Sequence, residues 1–316
     1  MSHSSEPTEG RPRRRRRIML GVVGLALLLA VGGGVWAWSM WSQLDNITRF
    51  QLGEAPGANS LSRPQPAPDA EAVTVLLAGV DHGQRGDLEE MLASGQWEEG
   101  TFRSDTIMVV HLPADRSRAT LVSIPRDSWV RVPGEGEEKI NAAFSSGGPS
   151  LLHTTVEQLI DLRIDHVMVI DWDGFRGITE AVGSVRLGGE DRGPDEALRY
   201  VRERKSLPDG DLDRVERQQA YLVSLLSALR QQGTWNSPVS LTRTVQSLDD
   251  FLSVDSGLTN RALVSLGWSS RGVTPDRLDA VTAPVTGFDT VEGQSIVRLD
   301  TRATRTLFDR IVRGSR

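Results

Sequence analysis

The stretch from Ala197 to Gln219 concentrates positive charge in a chain whose formal net charge is -6. Its cationic residues are Arg199, Arg202, Arg204, Lys205, Arg214 and Arg217. The planar guanidinium of arginine donates paired hydrogen bonds to phosphate oxygens, so this stretch can form a site for a strongly anionic ligand. A second interpretation stays open, because Glu203, Asp213 and Glu216 could neutralise the arginines on a solvated helix face.

Part of this stretch has helical spacing. Arg214, Gln218 and Tyr221 recur at i, i+4 and i+7, which puts their side chains on one face of a helix. That face is offset from the leucine stripe of the same helix, and we expect it to overlook the edge of the sheet. Arg202 and Arg204 would share one side if their segment is extended.

Two carboxylates and an arginine are predicted at the ends of strands. Asp81 follows a continuous apolar run, Asp105 begins the next run, and Arg126 ends a third in "SIPRD". Strand ends face the crevice where layered α/β proteins bind ligands. Two carboxylates that meet there repel each other, and a hard cation such as Mg²⁺ relieves the repulsion. Alternatively, both aspartates cap turns or pair with nearby arginines.

Lys139 and Asn141 begin the segment "KINAAFSSGGPS". Its glycines predict a turn whose backbone amides could hold an anion. Small residues ahead of a helix are also ordinary in loops, so both interpretations stay open.

The composition and motifs exclude several classes of protein. Cysteine is absent, which excludes disulfide frameworks, zinc–thiolate sites and cysteine nucleophiles. The five histidines have no HExxH spacing, and the chain contains neither a GxSxG elbow nor a Walker A loop. Beyond its first 17 residues the chain is acidic, so a general nucleic-acid binder is not expected.

The surrounding elements predict one layered α/β domain with helices on both faces of a sheet. Continuous apolar runs predict buried strands, and the short link between the second and third strands favours an antiparallel hairpin. The predicted strands are Val73–Val80, Asp105–Leu112, Ala119–Pro125, Asp165–Asp171 and one near Arg277–Pro284. The predicted helices include one in the insertion after Asp81, Pro149–Leu162, one from Trp172 to Gly183 capped by Asp173, and Asp211–Gly233.

The N-terminal segment predicts a membrane anchor. No charge occurs between Ile18 and Leu44, and about 20 apolar residues span a bilayer. Arginines before this segment predict a cytoplasmic N-terminus and an extracellular C-terminal domain. A cleavable signal peptide, including a twin-arginine signal, is the alternative. The predicted organisation is a basic arm (1–17), a transmembrane helix (18–41), an extracellular linker (42–71) and a domain (72–316).

Four motifs in order give this chain its resemblance to a known family. They are "RSDT" (Arg103–Thr106), "SIPRD" (Ser123–Asp127), "KINAAF" (Lys139–Phe144) and "ALRYVRER" followed by "GDLDRVERQQ". Over residues 73–229 the chain resembles the LytR-CpsA-Psr family of membrane-anchored cell-wall glycopolymer transferases. The resemblance implies a three-layer α/β/α sandwich with a central mixed sheet. It also implies transfer of a glycopolymer from a polyprenyl-pyrophosphate carrier to a peptidoglycan hydroxyl, releasing polyprenyl phosphate.

The resemblance also implies roles for individual residues. Asp81 and Asp105 match the ligands of Mg²⁺, with Mn²⁺ as an alternative metal. The residues that match the pyrophosphate site are Arg103, Arg126, Lys139, Arg202, Arg204, Arg214 and Gln218. Asp81, Asp105 and Arg126 are the implied catalytic residues, and one of the two aspartates accepts the proton of the attacking hydroxyl.

Two segments depart from the family pattern. The insertion between Asp81 and Asp105 is long and places His82 directly after the first aspartate. The segment Gly183–Pro194, which would help to cover the lipid, is short. This shortening supports the alternative function, a non-catalytic scaffold or sensor that binds polyprenyl phosphates or anionic wall polymers.

Overall fold

The computed structural model describes residues 47–53, 55, 62–81, 85–203, 211–246 and 252–314. The predicted basic arm and transmembrane helix lie outside these ranges, as do His82 and Arg204. None of the helices within the described ranges has the length and apolar character needed to cross a bilayer.

A seven-stranded sheet forms the centre of the domain. Its strands, in spatial order, are β1 (Thr48–Phe50), β10 (Leu252–Asp255), β7 (His166–Asp171), β2 (Val73–Asp81), β3 (Arg103–Leu112), β4 (Ala119–Ser123) and β11 (Leu278–Thr282). The sheet is mixed, because β2 pairs with β7 in parallel and with β3 antiparallel. The predicted antiparallel hairpin of β3 and β4 is confirmed.

Three two-stranded ribbons and eight described helices surround the sheet. The ribbons are β5 (Trp129–Val132) with β6 (Gly136–Lys139), β8 (Val185–Leu187) with β9 (Glu190–Arg192), and β12 (Val285–Val291) with β13 (Gln294–Leu299). The helices are α1 (Arg85–Ser94), α2 (Ile140–Ile160), α3 (Trp172–Ala181), α4 (Pro194–Arg202), α5 (Asp211–Gln231), α6 (Pro238–Gln246), α7 (Asn260–Ser269) and α8 (Thr301–Arg313).

Helices cover both faces of the sheet, as predicted. Side chains alternate along a strand, and Leu76, Ala78 and Val80 of β2 pack into the main core with α1, α2 and α8. Leu77 and Gly79 of β2 face the other side, beneath α3, α4 and α5. Asp81 follows in the same alternation, so its carboxylate belongs to the second face.

The predicted linker (42–71) contributes a strand to the central sheet. We expected an extended tether over 42–71, but residues 48–50 form β1, which pairs in parallel with β10. Ile47 and Phe50 are each 3% exposed, so burial of these apolar side chains holds the strand against the sheet. The linker prediction rested on the proline-, alanine- and serine-rich residues that follow this strand.

Of the two interpretations of "KINAAFSSGGPS", the structure does not support an open anion-binding turn. α2 begins at Ile140, and Gly147 and Gly148 form a kink within it. A β-carbon on Gly148 would lie 2.7 Å from the indole of Trp97, so this turn is packed rather than open to an anion. Ile140, Ala143 and Phe144 are fully buried, and their i, i+3, i+4 spacing was the missed helical signal.

The predicted cap of α3 is two residues too late in the sequence. Asp171, not Asp173, is the N-cap, and its carboxylate accepts a hydrogen bond of 2.5 Å from the backbone N–H of Gly174. The predicted end of the helix is confirmed, because Gly183 adopts φ 77° directly after it.

An ion pair between half-exposed Arg63 and buried Glu157 fastens the residues before β2 to the end of α2. Arg63 donates to both carboxylate oxygens of Glu157 at 3.0 and 3.1 Å, and the backbone N–H of Ile164 donates to Oε1 at 2.8 Å. Burial opposes ionisation of Glu157, but the hydrogen bonds from His153, Arg63 and Ile164 outweigh it and hold its pKa below the usual 4.5.

We expect Glu157→Gln to lower the free energy of unfolding by about 1–3 kcal/mol at neutral pH, because it removes a buried charge-assisted network. A lowered folded-state pKa means that this contribution is complete above pH 4.5 and is lost as the pH falls through the lowered value. Urea unfolding at several pH values measures it, with Glu180→Gln on the exposed side of α3 as control. Equal acid sensitivity of the wild type and Glu157→Gln would contradict this assignment.

Candidate active site

A β-bulge shapes the end of the central sheet. Gly79 pairs with Thr106 and Val80 pairs with Ser104, so Asp105 is the extra residue on β3. Such bulges redirect a side chain and are frequent beside active sites. Asp105 is only 6% exposed, and Nη1 of Arg126 donates a hydrogen bond to its Oδ1.

The loop after β4 places a second group of charges beside this pair. Arg126 Nε lies 3.5 Å from Oδ2 of Asp127, and Lys139 Nζ lies 3.0 Å from Oδ1 of the same carboxylate. The backbone N–H groups of Ile140 and Asn141, at the start of α2, donate to carbonyls of this loop. These bonds join the "SIPRD" and "KINAAF" motifs into one unit with the positive end of a helix beside it.

Asp81 is fixed by residues that are distant in sequence. Trp172 Nε1 donates a 2.8 Å hydrogen bond to Oδ1 of Asp81, and Nη2 of Arg202 lies 3.7 Å from the same oxygen. The guanidinium of Arg202 lies 5.0 Å from the centroid of the Trp172 ring, a cation–π contact. The exposed fractions of the Asp81 and Arg202 side chains are 41% and 48%, so a ligand can reach both.

Arg202 and Arg204 would share one side only if their segment were extended, and the structure places Arg202 in a helix. Arg202 is the last residue of α4, and Glu203 follows in an extended conformation. α4 has an acidic first turn and a basic last turn, which match its dipole and favour a helix here. Arg204 lies outside the described residues, so its relation to Arg202 stays a prediction.

The predicted face of α5 is confirmed as a single buried face. Arg214, Gln218 and Tyr221 are 2%, 7% and 5% exposed. Tyr221 stacks on Phe175 with ring centroids 4.0 Å apart, and its hydroxyl lies 3.0 Å from Oγ1 of Thr179. Burial raises the pKa of Tyr221, so its phenol stays protonated.

An apolar channel runs between α5 and the sheet. Its cavity volume is about 100 Å³, and it is partly open to solvent. Its walls are Leu77, Ala78, Gly79, Val80, Thr106, Met108, Ile170, Asp171, Trp172, Phe175, Ile178, Val201, Gln218, Tyr221, Leu222 and Leu225. Gln218 Nε2 is buried in this wall and has no hydrogen-bond partner among the residues that the structure describes.

Two further arginines that the sequence singled out, Arg103 and Arg217, have different surroundings. Arg103 is exposed and stands opposite Asp81 in the register of β2 and β3. Arg217 is bound away from the site, since it donates to the carbonyl of Tyr200 at 3.0 Å and lies over that ring. The site residues that sequence reasoning missed are Trp172 and Asp127. Asp127 was visible within "SIPRD", whereas no sequence pattern links Trp172 to Asp81.

The carboxylates of Asp81 and Asp105 have the chemistry that Mg²⁺ requires. Across the described ranges, no three acidic or histidine side chains come together as a metal cage. Mg²⁺ is usually bound by one or two carboxylates together with waters and substrate phosphates, so two aspartates at a phosphate site fit this ion. The contacts that Asp81 makes with Trp172 and Arg202 both involve its Oδ1 atom.

Comparison with known proteins finds the same architecture elsewhere. The sequence model of the LytR_cpsA_psr family matches residues 53–311. The probable cell wall biosynthesis protein LcpB of Corynebacterium glutamicum is 31% identical, over 94% of this chain and 71% of LcpB. The polyisoprenyl-teichoic acid–peptidoglycan teichoic acid transferase TagU of Bacillus cereus is 29% identical, over 67% of this chain and 71% of TagU.

A solved structure has the same fold at lower sequence identity. Protein gbs0355 of Streptococcus agalactiae superposes with a TM-score of 0.64 and is 19% identical. The superposition covers 78% of this chain and 88% of that one.

Proposed function

The chain belongs to the LytR_cpsA_psr family, and from this premise we propose that it is a cell-wall glycopolymer transferase. Its donor is a glycopolymer linked to a polyprenyl pyrophosphate, and its acceptor is a hydroxyl of peptidoglycan. The names of TagU and LcpB support this choice, since one specifies polyisoprenyl-linked teichoic acid and peptidoglycan and the other cell wall biosynthesis.

The observation that carries the proposal is the meeting of an apolar channel with a cationic site. Gln218 and Trp172 line the channel, and Trp172 also contacts Asp81 and Arg202. A molecule with a long hydrocarbon tail and a pyrophosphate head matches this combination. The tail would occupy the channel, and the head would take hydrogen bonds from Arg126, Arg202 and Arg214.

The proposed reaction exchanges one phosphorus–oxygen bond for another. The acceptor hydroxyl attacks the phosphorus that carries the sugar, and the bond to the bridging pyrophosphate oxygen breaks. The hydroxyl proton passes to a carboxylate, and polyprenyl phosphate leaves with the electron pair of the broken bond. Phosphoryl transfer depends mainly on positioning and charge neutralisation, which the arginines supply.

Asp81 and Asp105 would hold Mg²⁺ in this proposal, with Mn²⁺ as the alternative. The bound ion would neutralise charge on the pyrophosphate oxygens. Arg126 holds Asp105 in place, and Trp172 holds Asp81. Asp81 is the more exposed carboxylate, so an incoming hydroxyl reaches it more easily as a proton acceptor.

The proposed place of reaction is the outer face of the cell membrane. The predicted anchor at 18–41 would keep the domain beside the bilayer that holds the donor lipid. The short segment 183–194 forms β8 and β9, whose Val185 and Leu187 are buried in the cluster formed with α4 and α5. The channel walls come instead from α3, α4, α5 and the sheet, so we propose that the shortening leaves the lipid site intact.

The full chain, incubated with a synthetic polyprenyl-pyrophosphoryl glycan, peptidoglycan fragments and Mg²⁺, tests the proposal. We expect linked product and polyprenyl phosphate in equal amounts, measured by mass spectrometry. Donor binding without turnover, under conditions in which TagU is active, would contradict the transferase and favour the binding scaffold.

A wider side chain in the channel should discriminate against long lipid tails. We expect Leu225→Trp to raise the KM for a long-chain donor about tenfold, because excluding two methylenes costs about 1.6 kcal/mol. A donor with a very short tail should keep its KM. Steady-state kinetics with both donors measures this difference.

Leu229→Trp is the matched control, since Leu229 lies one turn later on α5 and is absent from the channel walls described above. It should leave both KM values unchanged. Equal effects of Leu225→Trp on long and short donors would contradict the placement of the tail.

A further inference from the structure

The ribbon of β5 and β6 has one buried and one solvent-facing side. Val130 and Val132 are 7% and 1% exposed and pack into the main core. Alternation along β5 therefore turns Trp129 and Arg131 to the opposite side. Trp129 remains partly exposed and Arg131 is exposed.

The cross-strand partners complete this outer side. Lys139 stands opposite Trp129, and Glu137 stands opposite Arg131. Directly opposed residues in an antiparallel pair project from the same face. We call these four residues, Trp129, Arg131, Glu137 and Lys139, the ribbon face.

The ribbon face is continuous with the candidate active site. Lys139 Nζ lies 3.0 Å from the carboxylate of Asp127, which also lies beside Arg126. β13 supports the same loop from its other side, because the backbone N–H of Val297 donates to the carbonyl of Asp127 at 2.9 Å. A chain molecule that lies along the ribbon face would therefore reach the residues that hold the phosphates.

The chemistry of the ribbon face matches a sugar chain. Trp129 Nε1 donates to Oε2 of Glu137 at 3.2 Å, which orients the indole while part of it stays exposed. An aromatic ring offers an apolar surface to the C–H side of a pyranose. The carboxylate of Glu137 accepts hydrogen bonds from hydroxyls, and Arg131 donates to hydroxyl and amide oxygens.

We propose that the ribbon face binds the glycan chain of the acceptor, with a sugar ring stacked on Trp129. This inference rests on the proposed function for the identity of the acceptor. The stacked ring would direct a neighbouring hydroxyl toward the phosphates that Arg126, Arg202 and Arg214 are proposed to hold. Trp129 therefore positions the acceptor and does not contact the donor lipid.

Direct binding of glycan tests this inference independently of transfer. Soluble, uncross-linked peptidoglycan glycan fragments are titrated into the full chain without donor, by calorimetry. We expect Trp129→Leu to weaken binding by about fivefold to tenfold, because stacking contributes about 1 kcal/mol or more. Trp129→Tyr keeps an aromatic ring and should stay within about twofold of the wild type.

Trp268→Leu is the matched control. Trp268 is also partly exposed and also lies against a cation, with Arg271 5.1 Å from its ring centroid. It belongs to α7, whose Leu266 packs beside the end of β3 and the start of β4, at the far end of the sheet. This variant should bind glycan as the wild type does.

The transfer assay gives a second readout. At saturating donor, Trp129→Leu should raise the acceptor KM while the donor KM stays unchanged. Wild-type glycan affinity in Trp129→Leu, or equal losses in Trp129→Leu and Trp129→Tyr, would overturn the inference. Failure of the wild type to transfer would refute the proposed function, and the binding titration would still decide whether the ribbon face holds glycan.

Discussion

Arg126→Ala is expected to lower kcat/KM for transfer by about a thousandfold, since removal of one preorganised donor to a transition-state oxygen costs about 10²–10³ in rate. Arg126 lies between two carboxylates of the site, because its guanidinium contacts both Asp105 and Asp127. Arg126→Lys keeps the charge but loses the bidentate hydrogen-bonding geometry of the guanidinium. We therefore expect an intermediate loss of kcat/KM. Steady-state kinetics at saturating acceptor measures both variants.

Arg118→Ala is the control for Arg126, because the two arginines flank opposite ends of β4 and Arg118 is exposed. It should have wild-type activity. Far-ultraviolet circular dichroism and urea unfolding show whether Arg126→Ala remains folded, since Asp105 stays buried. A folded Arg126→Ala variant with full activity would refute the site.

Asp105→Asn is expected to reduce transfer by about a thousandfold or more, because it removes one of the two carboxylates proposed to neutralise and hold Mg²⁺. The amide has nearly the shape of the carboxylate, so the fold should persist. The Mg²⁺ concentration that gives half-maximal activity should rise in this variant. A metal titration of the residual activity measures it.

Asp279→Asn is the matched control, as Asp279 is an exposed aspartate on β11 of the same sheet. It should leave both the rate and the metal dependence unchanged. Asp105 and Arg126 are in contact, so the double variant should lose much less than the product of the two single losses. Additive losses, or an unchanged metal dependence in Asp105→Asn, would contradict a shared role.

The local elements of the site could be predicted from sequence because their signals are short-range. Apolar runs marked β2, β3 and β4, and the 3.6-residue period placed Arg214, Gln218 and Tyr221 on one face of α5. These patterns need only neighbouring residues. They also placed Asp81 at the end of β2, Asp105 near the start of β3 and Arg126 after β4.

The relations between elements could not be predicted in this way. The bulge at Asp105 depends on the register of two strands, which spacing alone does not reveal. The bond from Trp172 to Asp81 joins residues 91 positions apart. β1 forms only because β10, near the other end of the chain, offers a free edge. Long-range pairing decided each of these features.

The central claim concerns which bond breaks, and a labelled donor tests it directly. The donor carries a radioactive label on the phosphorus next to the sugar, and the full chain is incubated with it, peptidoglycan fragments and Mg²⁺. We predict that the label appears in the peptidoglycan product and that unlabelled polyprenyl phosphate is released. Label retained in the lipid product, or label found only in unreacted bound donor, would contradict the account.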